Sequence, residues 1–264
     1  MTPDVVASAS SAWNWYPPDA TTAETEGYLL VRWPDYFKTP PGLIRLDPAA
    51  AVEDTLDEVA DLVRAWGLDE FVVWVKLDAP PELEAALTAR GGVLDETVDV
   101  FALDLSDGPP ALGVPDDLEV RWQADEATTR DAIRVGIEAF EEGSVPDDAT
   151  VSQLATEAAA DLAAGRAACA LAYLDDRAVA SGGVTLVDGV ARLWGGGVVP
   201  DARGRGAYRA VLAARLDRAV ELGAHLALVK GVVTTSGPIL RRAGFAVFGQ
   251  ERSYVVPVAT DATR

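Results

Sequence analysis

Arg203, Arg205 and Arg209 crowd around Gly204 and Gly206 in the stretch VVPDARGRGAYRAVL, and an apolar helical pattern follows at once. The first backbone N–H groups of a helix have no partners inside it, and they carry the positive end of the helix dipole. Glycines let an anion approach that backbone and guanidinium groups add charge, so a phosphate or pyrophosphate is the natural occupant. Two common phosphate motifs do not fit, because there is no Gly-Lys-Ser or Gly-Lys-Thr and no Gly-x-Gly-x-x-Gly. Taken alone, the loop also reads as an exposed Arg/Gly turn that caps a helix. Just upstream, WGGGVV reads either as a bulged strand or as a strand that a ligand approaches closely.

The surrounding chain is very acidic, with 22 Lys and Arg against 42 Asp and Glu and a formal net charge of -20. Such a surface repels nucleic-acid phosphates, which excludes nucleic acid as the expected partner. Only Lys38, Lys76 and Lys230 are lysines, so the positive charge is almost all arginine. The single cysteine, Cys169, excludes an internal disulfide, and beside one histidine, His225, it leaves no Cys/His metal site. Cys169 stands in the apolar stretch AACALAYL and reads as core packing. His225, at a helix-to-strand corner in ELGAHLALV, reads as structural despite the aptitude of histidine for acid–base work. Apolar runs such as FVVWV are too short to cross a bilayer. The opening MTPDVVASAS has Asp4 where a signal peptide is basic. The expectation is a cytoplasmic protein with no membrane partner.

The elements that must position the loop follow from periodicity. At 264 residues and 49% hydrophobic content, the chain has room for one large domain or two modest ones. Residues 1–20 read as an irregular arm and YLLVRW as a short strand. Val52, Leu56, Val59 and Val63 stand at helical spacing before Gly67. DEFVVWV, PPELEAALTARGG and VDVFALDL read as strand, helix and strand, and the turn-rich SDGPPALGVPDD as a linker. After it come the strand LEVRW, a helix with Ile133, Ile137 and Phe140 on one face, and a second helix capped by Thr150. CALAYLD, RAVASGGVTLVDG and VARLWGGGVVP then form an antiparallel meander with tight turns at Asp175-Asp176 and Asp188-Gly189. The Arg/Gly loop and its helix lead to the strand LALVKGV, the short helix SGPILRRAG and final strands FAVFG and SYVVPV. The chain also repeats itself: LDEVADLVRAWGLDEFVVWV parallels LAARLDRAVELGAHLALVKG, and each copy reads helix, strand, helix, turn, strand.

In that setting VVPDARGRGAYRAVL resembles the acetyl-coenzyme A signature of the GNAT superfamily of N-acetyltransferases. Arg203 matches its first position and Gly206 its first required glycine, while Tyr208 stands where Gly or Ala is usual. SGPILRRAGF resembles the family's short helix ending in Gly-Phe, here Gly244 and Phe245. The resemblance implies an α/β (α+β) GNAT fold, a central mixed, largely antiparallel sheet flanked by helices, over residues 113–264. Before it, residues 21–112 resemble a smaller, truncated GNAT-like α/β domain. That copy has Asp47 opposite Arg203 and no glycine at Pro48, Ala49 or Ala50, so it carries no cofactor site.

The resemblance further implies acetyl-CoA as cosubstrate. Gly196, Gly197 and Val198 would bond the pantetheine arm. Arg203, Gly204, Arg205, Gly206, Ala207, Tyr208 and Arg209 would hold the pyrophosphate, and Ser236 would add a contact. Glu138, Glu141, Glu142, Asp147 and Asp148 lie where relatives build the acceptor site and could attract a cationic amine or remove its proton. Competing with that role, they read as an ordinary solvated acidic face. The tyrosine that many relatives use as an acid is replaced by Leu240, and a common asparagine by Val233. Tyr254 is the first substitute, with Ser236 and Tyr208 as others. The expected function is an N-acetyltransferase acting on a primary amine of a small molecule or peptide. A non-catalytic acyl-CoA sensor is the alternative, and the sequence is compatible with a homodimer.

Overall fold

Helix α1 (Pro3–Ser11) opens the chain where an irregular arm is expected. Proline at its first turn has no N–H to leave unpaired, and Asp4 lies at the positive end of the helix. The computed structural model describes residues 1–47, 49, 51–141, 143–233 and 236–258. Strands β1 (Thr21–Glu24), β2 (Tyr28–Arg32) and β3 (Gly42–Leu46) follow. Next come α2 (Val52–Ala65), β4 (Glu70–Val75), α3 (Leu83–Ala89) and β5 (Val93–Asp104). The expected stripe Val52, Leu56, Val59 and Val63 is the buried face of α2.

After the linker come β6 (Glu119–Trp122), α4 (Glu126–Phe140), α5 (Asp148–Ala164) and the meander β7 (Ala167–Leu174), β8 (Arg177–Val187) and β9 (Val190–Val198). Its turns place Asp175 and Asp176 at φ 48° and 60°, and Asp188 at 50°, as two-residue hairpins require. Helix α6 (Ala207–Glu221), β10 (Leu226–Val232), α7 (Gly237–Arg242) and β11 (Ala246–Pro257) complete the order. FAVFG and SYVVPV are one strand, β11, which passes through Gly249 at φ 141°, a positive conformation that glycine adopts readily. The N-cap of α5 is Asp147, which accepts from the Thr150 N–H, so Thr150 lies inside the helix. On α4 the buried positions are Thr129 and Val135, and Phe140 is half exposed, which moves the core face off the expected Ile133–Ile137–Phe140 line.

The backbone divides into two units that do not follow chain order. The first holds Thr2–Val100, Gly231–Gly237 and the chain from Val247 on; the second holds Phe101–Lys230 and Pro238–Ala246. In the first, the strand order is β1-β2-β3-β4-β11-β5. There β3 and β4 are parallel, while β11 runs antiparallel to β4 from Arg252↔Val75 to Pro257↔Glu70. Its core joins Leu30, Leu56, Phe71 and Leu87 to Tyr254 and Val256. In the second, the order is β5-β10-β9-β8-β7-β6, with β6 to β9 antiparallel and β9 parallel to β10. Helix α6 buries Leu212 and Leu216 with Leu193 and Leu240, and Val211 with Leu171 and Val179. Strand pairing is mixed in each unit, and each carries helices, as the expected fold class requires.

A fragment of residues 1–112 lacks β11, and with it Tyr254, Val256 and Val258 of the first core. We expect that fragment to be unfolded or aggregated by circular dichroism and size-exclusion chromatography. A folded monomeric fragment would contradict the place of β11 in this unit.

Candidate functional site

Strand β9 leaves regular pairing on both of its edges at the same point. Toward β8, Ser181 faces Gly197 and Gly183 faces Trp194, so three steps on β9 span two on β8. The extra residue is a bulge at Gly195-Gly196, and Gly195 takes the left-handed conformation at φ 58° that such a bulge favours. Toward β10, the parallel ladder has its last pair at Leu193↔Val229, while β9 runs on to Val198. The Val199 N–H is bonded to the Val179 carbonyl, so strand alternation turns the Val198 N–H to the opposite edge. Beyond Leu193, β9 therefore presents a glycine-lined backbone edge with no ladder partner among the described residues.

Two helices close on this segment from its two faces. A Cβ at Gly197 would lie 2.8 Å from the Ala139 Cβ and 3.1 Å from the Phe140 ring, at the end of α4. A Cβ at Gly196 would lie 3.0 Å from the Tyr208 ring and 3.4 Å from Arg215 Nη2, both on α6. The glycines are thus required by the helices as well as compatible with a ligand. Arg215 is 1% exposed and gives its Nε to the Val211 carbonyl and its Nη1 to the carbonyls of Gly183 and Trp194. Nothing in the sequence reading singled it out. The available signal was an arginine on the same helical stripe as Ala207 and Val211.

The Arg/Gly loop meets the start of α6 as expected. Gly206 is the N-cap at φ 86°, and no side chain caps the helix, so its first N–H groups stay available. Gly204 faces open space. At Gly206 the missing Cβ is used by the protein itself, since one built there would come within 2.7 Å of Pro115. The three arginines are exposed and bonded mainly to neutral carbonyls. Arg203 reaches Val198 and Ala139 at 3.4 Å each, and Arg209 reaches Leu112 at 3.3 Å. Arg205 lies 3.8 Å from Asp117, an exposed pair of little strength. Arg203 thereby braces the end of α4, and Arg205 and Arg209 keep most of their charge for an anion.

The acidic candidates separate. Glu138 is tied to Arg134 at 3.1 Å and to Arg177 at 3.4 Å. Asp147 caps α5, and the Thr150 N–H holds its carboxyl below the usual range. Asp148 pairs with Arg130 at 2.9 Å. Glu141 is exposed at the end of α4, at φ 59°, and has no ion pair among the described residues; Glu142 lies outside them.

Tyr254 belongs to the first unit, where its hydroxyl donates to Glu84, and that carboxylate pushes the phenol up. Ser236 donates to the Val232 carbonyl at 3.4 Å, and Leu240 is fully buried. The His225 ring packs against Gly189 and its main chain bonds Gly189 and Leu105, a structural role. Cys169 is part-buried and lies outside the core clusters among the described residues, and desolvation there pushes its thiol up. No cluster suited to a metal occurs among the described residues, and no helix there is long and apolar enough to cross a membrane. A cavity of about 310 Å³ lined by Arg32, Trp33, Lys38 and Glu70 belongs to the first unit, away from these candidates in the chain.

Residues 112–231 match the family described as the acetyltransferase (GNAT) domain. The fold is similar to that of a GCN5-related N-acetyltransferase from Kribbella flavida, with a TM-score of 0.69 and 16% identity, covering 99% of this chain and 98% of that one. It is also similar to a tandem GNAT protein from the clavulanic acid biosynthesis pathway, with a TM-score of 0.65 and 15% identity, covering 97% and 88%. A GCN5-related N-acetyltransferase from Sphaerobacter thermophilus gives 0.64 and 17%, covering 89% and 82%. At such identities the likeness is one of fold. No curated protein matches the sequence.

The bonds to Tyr254 give a pH prediction. Glu84 is held below the usual carboxylate range, first by Arg252 and then by Tyr254. Its stabilising share is full above the ordinary glutamate pKa and is lost as pH falls through the lowered one. We expect the melting temperature to fall below about pH 4, and Glu84→Gln to show a shallower acid limb. Identical acid limbs would show that this cluster does not contribute.

Proposed function

From the match of residues 112–231 to the acetyltransferase (GNAT) domain, we propose that this protein moves an acetyl group from acetyl-CoA to a primary amine of a small molecule or peptide. The observation that carries the reading is the edge of β9 beyond Leu193, with no ladder partner among the described residues, beside an uncapped helix start with arginine around it. The two amides of a pantetheine arm match the exposed backbone groups of such an edge, as an added strand would. The pyrophosphate belongs at the first N–H groups of α6 with Arg205 and Arg209. Gly195 and Gly204, which face open space, leave the backbone approachable at both places. Acetyl-CoA supplies the acetyl group as a reactive thioester. The Val198 N–H is turned to the edge where it can polarise the carbonyl.

On the other face, Ala139 and Phe140 cover Gly197, and Glu141 follows directly. With Glu138, Asp147 and Asp148 engaged, Glu141 is the described carboxylate left to draw a cationic amine and take its proton, directly or through water. Acetyl-CoA is the smallest donor this reading requires.

We expect Arg205→Glu combined with Arg209→Glu to weaken acetyl-CoA binding in calorimetry by about 10- to 100-fold, with the fold retained. Unchanged affinity would remove the loop from the cofactor site. Glu141→Gln should raise the KM for the best amine found in a CoA-release screen while leaving acetyl-CoA affinity as it was. Tight acetyl-CoA binding with no turnover of any amine would instead favour a non-catalytic sensor.

A further inference from the structure

The face of the sheet turned away from α6 is continuous across the bulge. Ala191 and Leu193 of β9 pack with Leu212 and Leu216 of α6, so strand alternation turns Arg192 and Trp194 to the other side. On β8, Gly183 stands opposite Trp194 and Ser181 opposite Gly197, and positions two apart on a strand share a face. Trp194 and Gly197 are therefore on one side, where Ala139 and Phe140 of α4 lie over Gly197. The Trp194 indole lies across β8: a Cβ at Gly183 would meet its ring at 2.2 Å, and its Nε1 donates to Thr185 Oγ1 at 2.9 Å. It is nonetheless 45% exposed, so its outer face is open.

Arg192 stands opposite Thr185, beside that indole. It is half-buried, and its Nε is fully buried with no hydrogen-bond partner. Burial holds the guanidinium below the usual arginine range, and Asp188 in the hairpin turn pulls the other way. Asp188 is exposed and forms no ion pair with Arg192 among the described residues. The Arg192 Nη groups bond no described residue and are not buried, so they are open to a ligand. In a chain with 42 acidic residues, a half-buried cation without an ion pair is one the fold has left unneutralised. At the other end of the same face, Phe140 is half exposed and Glu141 follows it. The face thus has a carboxylate at one end, a guanidinium at the other and an aromatic floor between. From the residue opposite Gly197 to the residue opposite Arg192 is four positions of β8, roughly 13 Å.

Resting on the acyl-transfer reading above, we propose that the acceptor is the amino terminus of a short peptide whose free carboxyl terminus is bound by Arg192, with Trp194 beneath the chain between them. The span sets the length, since about four extended residues cover it. A free α-amino acid, with its carboxylate carbon two bonds from the amine nitrogen, does not reach both ends. An amine and a carboxylate on one acceptor cancel, so the charge of -20 does not repel it as it repels an anion. In the transfer, the peptide nitrogen bonds the acetyl carbonyl carbon as the C–S bond breaks, its electron pair leaving on sulfur. The proton of the amine passes to Glu141 or to water.

The test compares random-sequence tetrapeptides made with free and with amidated carboxyl termini, in a CoA-release assay at saturating acetyl-CoA. We expect kcat/KM to be about tenfold higher for the free-carboxyl set, mostly through KM. Free-carboxyl dipeptides should be poorer than the tetrapeptides. Arg192→Met should bring the two sets level without changing acetyl-CoA affinity, and Arg192→Lys should keep part of the preference. Trp194→Leu should raise KM for both sets alike. The native comparison decides whether or not the variants fold. Equal rates for the two sets, a preference that survives in Arg192→Met, or turnover only of amines without a carboxylate overturns the assignment while leaving the acetyltransferase reading standing. A protein that binds no acetyl-CoA in calorimetry, or binds it and turns over no amine, overturns both.

Discussion

The bulge in β9 is the constraint on which the second unit depends. An extra residue in one strand of a ladder leaves backbone groups without their partners, and buried carbonyls cannot be left so. Here Arg215 Nη1 takes the carbonyls of Gly183 and Trp194, on the two strands that the bulge separates. A single buried cation thus holds β8 and β9 in their shifted register. From that register follow the edge without a ladder partner beyond Leu193, the glycines that let α4 and α6 approach, and the aim of the Tyr208 ring across Gly196.

Electrostatics complete what the backbone begins. The formal charge of -20 repels anions from most of the surface, so an anion site must be made locally. In the loop proposed for that site, Asp117 lies 3.8 Å from Arg205, while other nearby acids are engaged elsewhere. Asp201, its nearest acid in the chain, is engaged by Arg177 at 2.6 Å, and Glu138 is occupied by Arg134 and Arg177. Arg203 and Arg209 are bonded to neutral carbonyls, and the uncapped start of α6 adds its dipole. The same engagement of carboxylates leaves Glu141 as a described acid of that stretch with no ion pair among the described residues.

Local features of the fold were legible in the sequence, and features that depend on distant partners were not. The stripe of α2, the two aspartate turns and the loop before α6 are written within a few residues, because spacing, positive φ and charge act there directly. Helix α1 was missed because proline and small residues read as arm until their first-turn placement is seen. The core face of α4 could not be chosen between Ile133–Ile137–Phe140 and Val135 by periodicity alone, since both satisfy helical spacing. β11 reads as two strands until its register with β4 is known, and periodicity says nothing of which unit a strand completes. At the site, the acidic stretch read as one cluster, whereas ion pairs and a cap divide it. Arg215 stood unnoticed in an apolar stripe because the carbonyls that explain it come from two other strands.

Hydrogen exchange measured with and without acetyl-CoA tests the central claim most directly, since backbone N–H groups are the proposed contacts. Slowed exchange confined to residues 194–198 of β9 and 204–209 at the start of α6 is the predicted result. Unchanged exchange in both segments at saturating acetyl-CoA, or protection only in the first unit, would contradict it.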